Sequence, residues 1–201
     1  MLYHTGPRKL FAQVRDAIET VIPVQSLRYI AFSHYEADEC GSLNDFLDVA
    51  PKSEPVCSVI AKMVSVDDVA SRPARALSDG EELSLGNHVV RWLDTPHLPH
   101  AWECGHLFET TTRTLFCGDL FTQGGNEHEP LIRSDILDAS EAMRGALDYF
   151  SQTRKVHELA EKLALTSPRI LACMHGSAWE GDGAKLLRQL ARRLGGSSTH
   201  Q

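Results

Sequence analysis

No Cys-x-x-Cys pair occurs in the 201 residues, and the five cysteines (Cys40, Cys57, Cys104, Cys117, Cys173) are odd in number and widely spaced. That pattern argues against a zinc ribbon or a disulfide framework and fits a reducing compartment. Basic residues are in short supply: 20 Lys and Arg stand against 27 Asp and Glu, a formal net charge of −7. Phosphate attraction needs a basic face, so neither nucleic acid nor an acidic membrane is expected as a partner. No apolar run approaches the roughly 20 residues of a membrane helix. A glycine-rich loop for flavin or nucleotide phosphates is also missing. Met1-Leu2-Tyr3-His4-Thr5-Gly6 lacks the basic start and apolar stretch of a secretion signal. These absences predict a soluble, cytoplasmic protein.

What is present is a sizeable core fraction, 42% hydrophobic residues, and ten histidines, a high count for this length. The chain reads as a single α/β domain over residues 1–195 with a frayed tail at 196–201. Apolar residues at Leu10, Phe11, Val14, Ala17, Ile18 and Val21 recur at helical spacing, and Pro23 ends that helix. Residues 27–33 predict a buried strand, and 55–64 a strand or a helix entry. Ser65 before Asp67 and Asp68 predicts a helix start. Turns at Asp79-Gly80 and Gly86-Asn87 bracket one hairpin, and residues 106–121 predict another. Helices are expected over 138–152, 154–165 and 183–194, with a strand over 169–176.

Four of the predicted strands end in a residue able to bind metal: His34, His97, Asp119 and His175. The first of these opens the run "SHYEADECGSL", which sets His34, Glu36 and Asp38 on alternate positions, followed at once by Glu39, Cys40 and Gly41. On a turning loop all three can converge, so the run is either a solvated acidic loop or a cation site. Ligand-bearing loops of α/β folds lie at the carboxyl ends of strands.

The order His34-x-Glu36-x-Asp38, Gly41-Ser42-Leu43, His97-Leu98-Pro99, Asp119 and His175-Gly176-Ser177-Ala178-Trp179 resembles the metallo-β-lactamase superfamily. More narrowly, it resembles the di-iron branch found in flavodiiron and oxygen-binding di-iron proteins. The resemblance covers residues 1 to about 180 and implies the αββα sandwich of that superfamily. It implies two metal ions held by His34, Glu36, Asp38, His97, Asp119 and His175. One ion would take His34, Glu36 and His97; the other would take Asp38 and His175, with Asp119 bridging. Hydrolytic zinc members have histidine where Glu36 stands, and a carboxylate there suits iron or manganese better than zinc. Glu39 replaces the family's second histidine; it could be a ligand, act through water, or serve as an acceptor behind the ligands, and the position is expected to be the most expendable. His97 and His100 compete for one role, and the His-x-Pro context favours His97.

The function implied is a non-haem di-iron domain that binds or reduces dioxygen or a related diatomic such as nitric oxide. It would act as a sensor, or as a reductase with a separate electron donor. The alternative is a dinuclear metal-dependent hydrolase, for which no catalytic acid or base is evident in the sequence. Relative to the family, the first hairpin is expected to be incomplete, and no flavodoxin domain is expected after the closing helix. An open sheet edge predicts a homodimer. The other histidines, His4, His88, His128, His157 and His200, read as surface or loop residues, and His106 as a strand residue.

Overall fold

Alternation along Tyr29-Ile30-Ala31-Phe32 decides the layering. Successive side chains of a strand point to opposite faces. Ile30 and Phe32 therefore join one apolar cluster, and Tyr29 and Ala31 another. The computed structural model describes residues 1–196, so His200 and the expected tail beyond Gly196 lie outside it.

The first sheet contains β1 (Leu2–Tyr3), β2 (Tyr29–Ala31), β3 (Glu54–Ser58) and β4 (Arg75–Leu77), in that spatial order and all parallel. Its outer face is covered by α1 (Phe11–Glu19) and α3 (Leu43–Val49), which bury Phe46 and Leu47 against Ile30 and Phe32. The one-turn helix α2 (Ala37–Cys40) lies between β2 and α3, and short turns α4 (Val59–Ala61) and α5 (Asp67–Val69) follow β3. The helix expected to begin at Ser65 starts at Asp67, because Lys62–Val66 is wound as a wider π turn.

The second sheet is built from β5 (Glu82–Ser84), β6 (Val89–Asp94), β7 (Gly105–Glu109), β8 (Thr114–Gly118), β9 (Leu131–Ile132), β10 (Ile170–Cys173) and β11 (Ala178–Glu180). Their spatial order is β5-β6-β7-β8-β10-β11-β9. The two expected hairpins are β5–β6, with Glu82 opposite Arg91, and β7–β8, with Leu107 opposite Phe116. β8 and β10 run parallel, which places the ends of both strands at one rim.

Between the sheets, Tyr29, Ala31, Val56 and Leu77 meet Val90, Trp92 and Leu107. On the far side, Leu93, Phe108 and Leu115 pack against α6 (Leu137–Leu147), α7 (Val156–Leu165) and α8 (Gly183–Gly196). The result is a helix–sheet–sheet–helix sandwich. None of the described helices is long and apolar enough to cross a membrane.

Candidate metal centre

The rim at the carboxyl ends of β2, β8 and β10 gathers the polar residues. Past β2 the chain buries His34 completely, then leaves Tyr35 and Glu36 exposed before α2 sets Asp38 and Glu39 one turn further on. Gly41 closes α2 with ordinary helical φ, so a sharp left-handed turn is not its role. A Cβ there would lie 2.3 Å from the Ala37 carbonyl oxygen and 3.1 Å from Arg8 N, so close approach demands glycine.

The N-terminal segment holds this loop from behind. Thr5 N–H donates to the Glu39 carbonyl at 2.7 Å, and Ser42 N–H donates to the Gly6 carbonyl and Thr5 Oγ1, both at 3.1 Å. From the front, the buried Glu103 accepts from Tyr35 N–H at 3.1 Å. Asp119 follows directly on β8, and its carbonyl accepts from Thr122 Oγ1 at 2.8 Å and the Tyr149 hydroxyl at 3.0 Å.

His34, Glu36, Asp38, Asp119 and His175 come together; His97 does not. His97 is exposed, with φ 66° and its N–H on the Ala101 carbonyl, while the neighbouring Leu98 is buried and anchors the turn. That turn sends His97 to solvent and brings His100 to the centre. His100 Nε2 lies 2.8 Å from His34 Nε2, 3.1 Å from Glu36 Oε1 and 3.5 Å from Asp119 Oδ2. The His-x-Pro context favours His97, but among the candidate donors the structure places His100 instead.

Among the described residues, three groups of donor atoms lie close enough to share an ion: His34, His100 and Asp119; His34, Glu36 and Glu39; and Asp38, Glu39 and His175. Asp119 turns one oxygen each way. Its Oδ2 is 3.6 Å from His34 Nε2, and its Oδ1 is 3.3 Å from His175 Nε2, which also sits 3.3 Å from Asp38. Glu39 belongs to two of the groups, so it is not the peripheral residue its sequence context suggested. It is fully buried, and neither carboxylate oxygen has a hydrogen-bond partner.

Burial, then Asp119 and Asp38 nearby, push the Glu39 carboxyl up to about 9. Burial and the adjacent His100 hold His34 below its ordinary value. For Asp119, burial alone would raise the carboxyl, but His175, His34 and His100 outweigh it and hold the group below the usual range. His175 is raised by its contact with Asp119. An unpartnered buried carboxylate facing imidazole nitrogens is costly by itself and fits a cation.

Two neighbouring groups drop out. Cys40 turns its thiol to the Glu36 carbonyl at 3.2 Å, and burial raises it to about 12, so it is inert as a thiolate donor. His106 is a satisfied core histidine, bonded to Thr95 Oγ1 at 2.8 Å and to the Cys117 carbonyl at 3.1 Å. Beside the donors opens a pocket of about 550 Å³, lined by Glu36, Asp38, His100 and Asp119 and by Met143, Leu147, Tyr149 and Met174.

The fold is shared with known proteins. The anaerobic nitric oxide reductase flavorubredoxin of Vibrio vulnificus is 22% identical over 202 residues, covering 94% of this chain and 40% of that protein. Rubredoxin oxygen:oxidoreductase from Desulfovibrio gigas superposes with a TM-score of 0.76 at 19% identity, over 94% of this chain and 49% of that one. The chemotaxis sensor ODP from T. denticola, in its apo state, gives 0.74 at 20% identity, over 92% of this chain and 77% of that one. The chain thus spans less than half the length of the curated flavoprotein relatives it matches. These structural likenesses establish the metallo-β-lactamase-type sandwich. A family model described as "ODP family beta lactamase" matches residues 1–176, and the chain belongs to that family.

Proposed function

We propose that this centre holds two metal ions, iron in preference to zinc or manganese, and that it binds or reduces dioxygen or nitric oxide. The observation that carries the reading is Glu39, a wholly buried carboxylate with two unpartnered oxygens, 3.9 Å from His34 Nε2. Without a cation it must keep a proton to stay buried; with one, its charge is matched. His34, Glu36 and His100 would hold one ion, and Asp38, Glu39 and His175 the other, with Asp119 between them. Carboxylates and imidazoles without a thiolate suit iron or manganese better than a sulfur-rich zinc site. When bound, the ions supply an attachment point and electrons for the diatomic ligand.

The chain's own part is to orient the donors and shape the pocket. Met143, Leu147 and Met174 give it an apolar wall that suits a small uncharged ligand. No lysine or arginine lines it among the described residues, so an anionic ester finds no counter-charge there. The Tyr149 proton is committed to the Asp119 carbonyl and is not free for acid catalysis. Both features favour diatomic chemistry over hydrolysis.

The names of the relatives support both forms of the reading, since two are reductases of nitric oxide or oxygen and one is a chemotaxis sensor. A reductase would draw electrons from a separate donor; a sensor needs none. All five cysteines are free thiols, in keeping with a reducing, cytoplasmic setting. Elemental analysis of protein purified without added metal is expected to give iron at roughly two ions per chain. About one zinc and no iron would overturn the di-iron reading. Oxygen uptake by the ferrous protein that stops after one exchange without a donor, and becomes continuous with one, identifies a reductase.

His100→Ala is expected to lower iron content strongly, whereas His97→Ala leaves it within error of the wild type. Equal losses would contradict the assignment to His100.

A homodimer is also proposed. The two-residue edge strand β1 lies beside an apolar groove lined by Leu10, Val14, Ile18 and Val21, of which Val21 is 81% exposed. A second copy covering that edge would remove both from water. Light scattering is expected to give twice the 22.3 kDa chain mass, and a monomer at micromolar concentration would sink the idea.

A further inference from the structure

His34 turns Nε2 to the centre, and its other ring nitrogen points back toward the N-terminal strand. Nδ1 lies 2.9 Å from Ser33 Oγ, and Ser33 Oγ lies 3.1 Å from His4 Nε2. The Ser33 backbone N–H also donates to His4 Nε2, at 3.2 Å. Together these contacts define a relay whose protons can be followed from one end. A ring nitrogen that accepts from a backbone N–H carries no proton itself, so the neutral His4 ring has its proton on Nδ1. Ser33 has one hydroxyl proton, and the bare Nε2 of His4 is an acceptor for it. With that proton directed to His4, the Ser33 oxygen is an acceptor toward His34. His34 accordingly keeps its proton on Nδ1 and offers Nε2 bare to Glu36, Glu39, His100 and Asp119.

We propose that His4 is a positioning residue: through Ser33 it sets the tautomer and ring orientation in which His34 receives a metal ion. The inference rests on the metal-centre reading above and adds to it a residue that the sequence alone presents as an ordinary loop histidine. Second-layer partners of metal-bound histidines commonly work this way.

The relay has the marks of a built arrangement. His4 sits at φ 64°, a backbone region uncommon outside glycine, with its N–H on the Ala31 carbonyl at 2.8 Å. Its ring is stacked on Tyr3, with centroids 4.2 Å apart and planes 28° from parallel. Across the relay stands Gly118, at φ 50°, where a Cβ would fall 2.8 Å from Ser33 Oγ. A side chain there would press on the hydroxyl, and the residue after it is Asp119. The same contacts thus bring together the N-terminal strand, the loop carrying His34 and the end of β8.

Nitrogen-15 NMR of the metal-free protein reads the tautomers directly. In the wild type, His4 and His34 are both expected as Nδ1–H. In His4→Ala the Ser33 proton is released to turn toward His34, and the Nε2–H form of His34 is expected to grow. In His4→Gln, whose amide oxygen can stand where Nε2 stood, the Nδ1–H form is expected to return. Anaerobic titration with Fe(II) should show affinity weakened by about 10- to 100-fold in His4→Ala and largely restored in His4→Gln. If His4→Ala does not fold, Ser33→Ala removes the acceptor of the His34 Nδ1–H outright and should weaken Fe(II) binding to a similar degree. A wild-type His34 found as Nε2–H would overturn the proposal, as would tautomer and Fe(II) affinity unchanged in both alanine variants. A wild-type chain that takes up no Fe(II) would overturn the metal reading alone, since the tautomers are read without metal.

Discussion

Asp119→Ala is expected to strip the chain of both metal ions. Its carboxylate faces both halves of the centre at short range, with Oδ2 3.6 Å from His34 and 3.5 Å from His100, and Oδ1 3.3 Å from His175. Two divalent cations roughly 3.5–4 Å apart repel each other by roughly 17–19 kcal/mol even at an effective dielectric of about 20. Removing the anion between them leaves that repulsion uncompensated. Glu39→Ala should be milder: it weakens the centre but leaves Asp119, the other carboxylates and all three histidines in place. Metal content after anaerobic loading and desalting measures the difference, with circular dichroism to establish that each variant folds. An Asp119→Ala protein that kept both ions while Glu39→Ala lost them would reverse the roles assigned to the two residues.

The sandwich was legible because its strands carry strong local signals. The apolar run Tyr29–Phe32 and the turn residues at Asp79-Gly80 and Gly86-Asn87 report a buried strand and a chain reversal without tertiary information. The short strands β4, β9 and β11 carry too few residues to show a period, and β9 and β11 form only as neighbours for β10 and for each other. The site was legible in the same graded way. His34, Glu36 and Asp38 are close in sequence, and Asp119 and His175 stand just past strand ends. The sequence offers both His97 and His100, and the choice between them is not legible because a short turn decides which of the two faces inward. In this turn the left-handed backbone of His97 and the burial of Leu98 decide it, and neither is written in the His-x-Pro pattern. Glu39 was undervalued for a related reason: an acidic residue on a one-turn helix reads as exposed, and its burial depends on Thr5 and Ser42, which tie the N-terminal segment over the loop. His4, 30 positions before His34, gives no sequence signal of its contact with Ser33.

Glu39 also sets how the metal-free protein should respond to pH. Its carboxyl is raised from an ordinary 4.5 to about 9 by burial and by the neighbouring Asp119 and Asp38. A folded-state value above the unfolded one means that the folded chain holds the proton more tightly. The stability this provides is complete below about 4.5 and is lost as pH rises toward 9. Two other buried groups act in the opposite sense. Burial lowers His4 to about 3 and His106 to about 4 from an ordinary 6.5, so their contribution is present above 6.5 and lost as pH falls. Metal-free protein should therefore lose stability on both flanks, the alkaline one belonging chiefly to Glu39, with a part from His175, which its contact with Asp119 also raises. Between pH 5 and 9 that loss approaches about 1.4 kcal/mol per pH unit, or roughly 3–5 °C per unit in Tm for a chain of this size. Glu39→Gln keeps the shape without the titration and should flatten the alkaline flank while leaving the acid one intact. Metal gives the complementary result, because a bound ion needs the carboxylate ionised and loading must expel its proton. Near neutral pH in weak buffer, Fe(II) binding should release about one more proton in the wild type than in Glu39→Gln. Parallel alkaline melting curves for the two metal-free proteins, or equal proton release, would show that Glu39 is already ionised before the metal arrives.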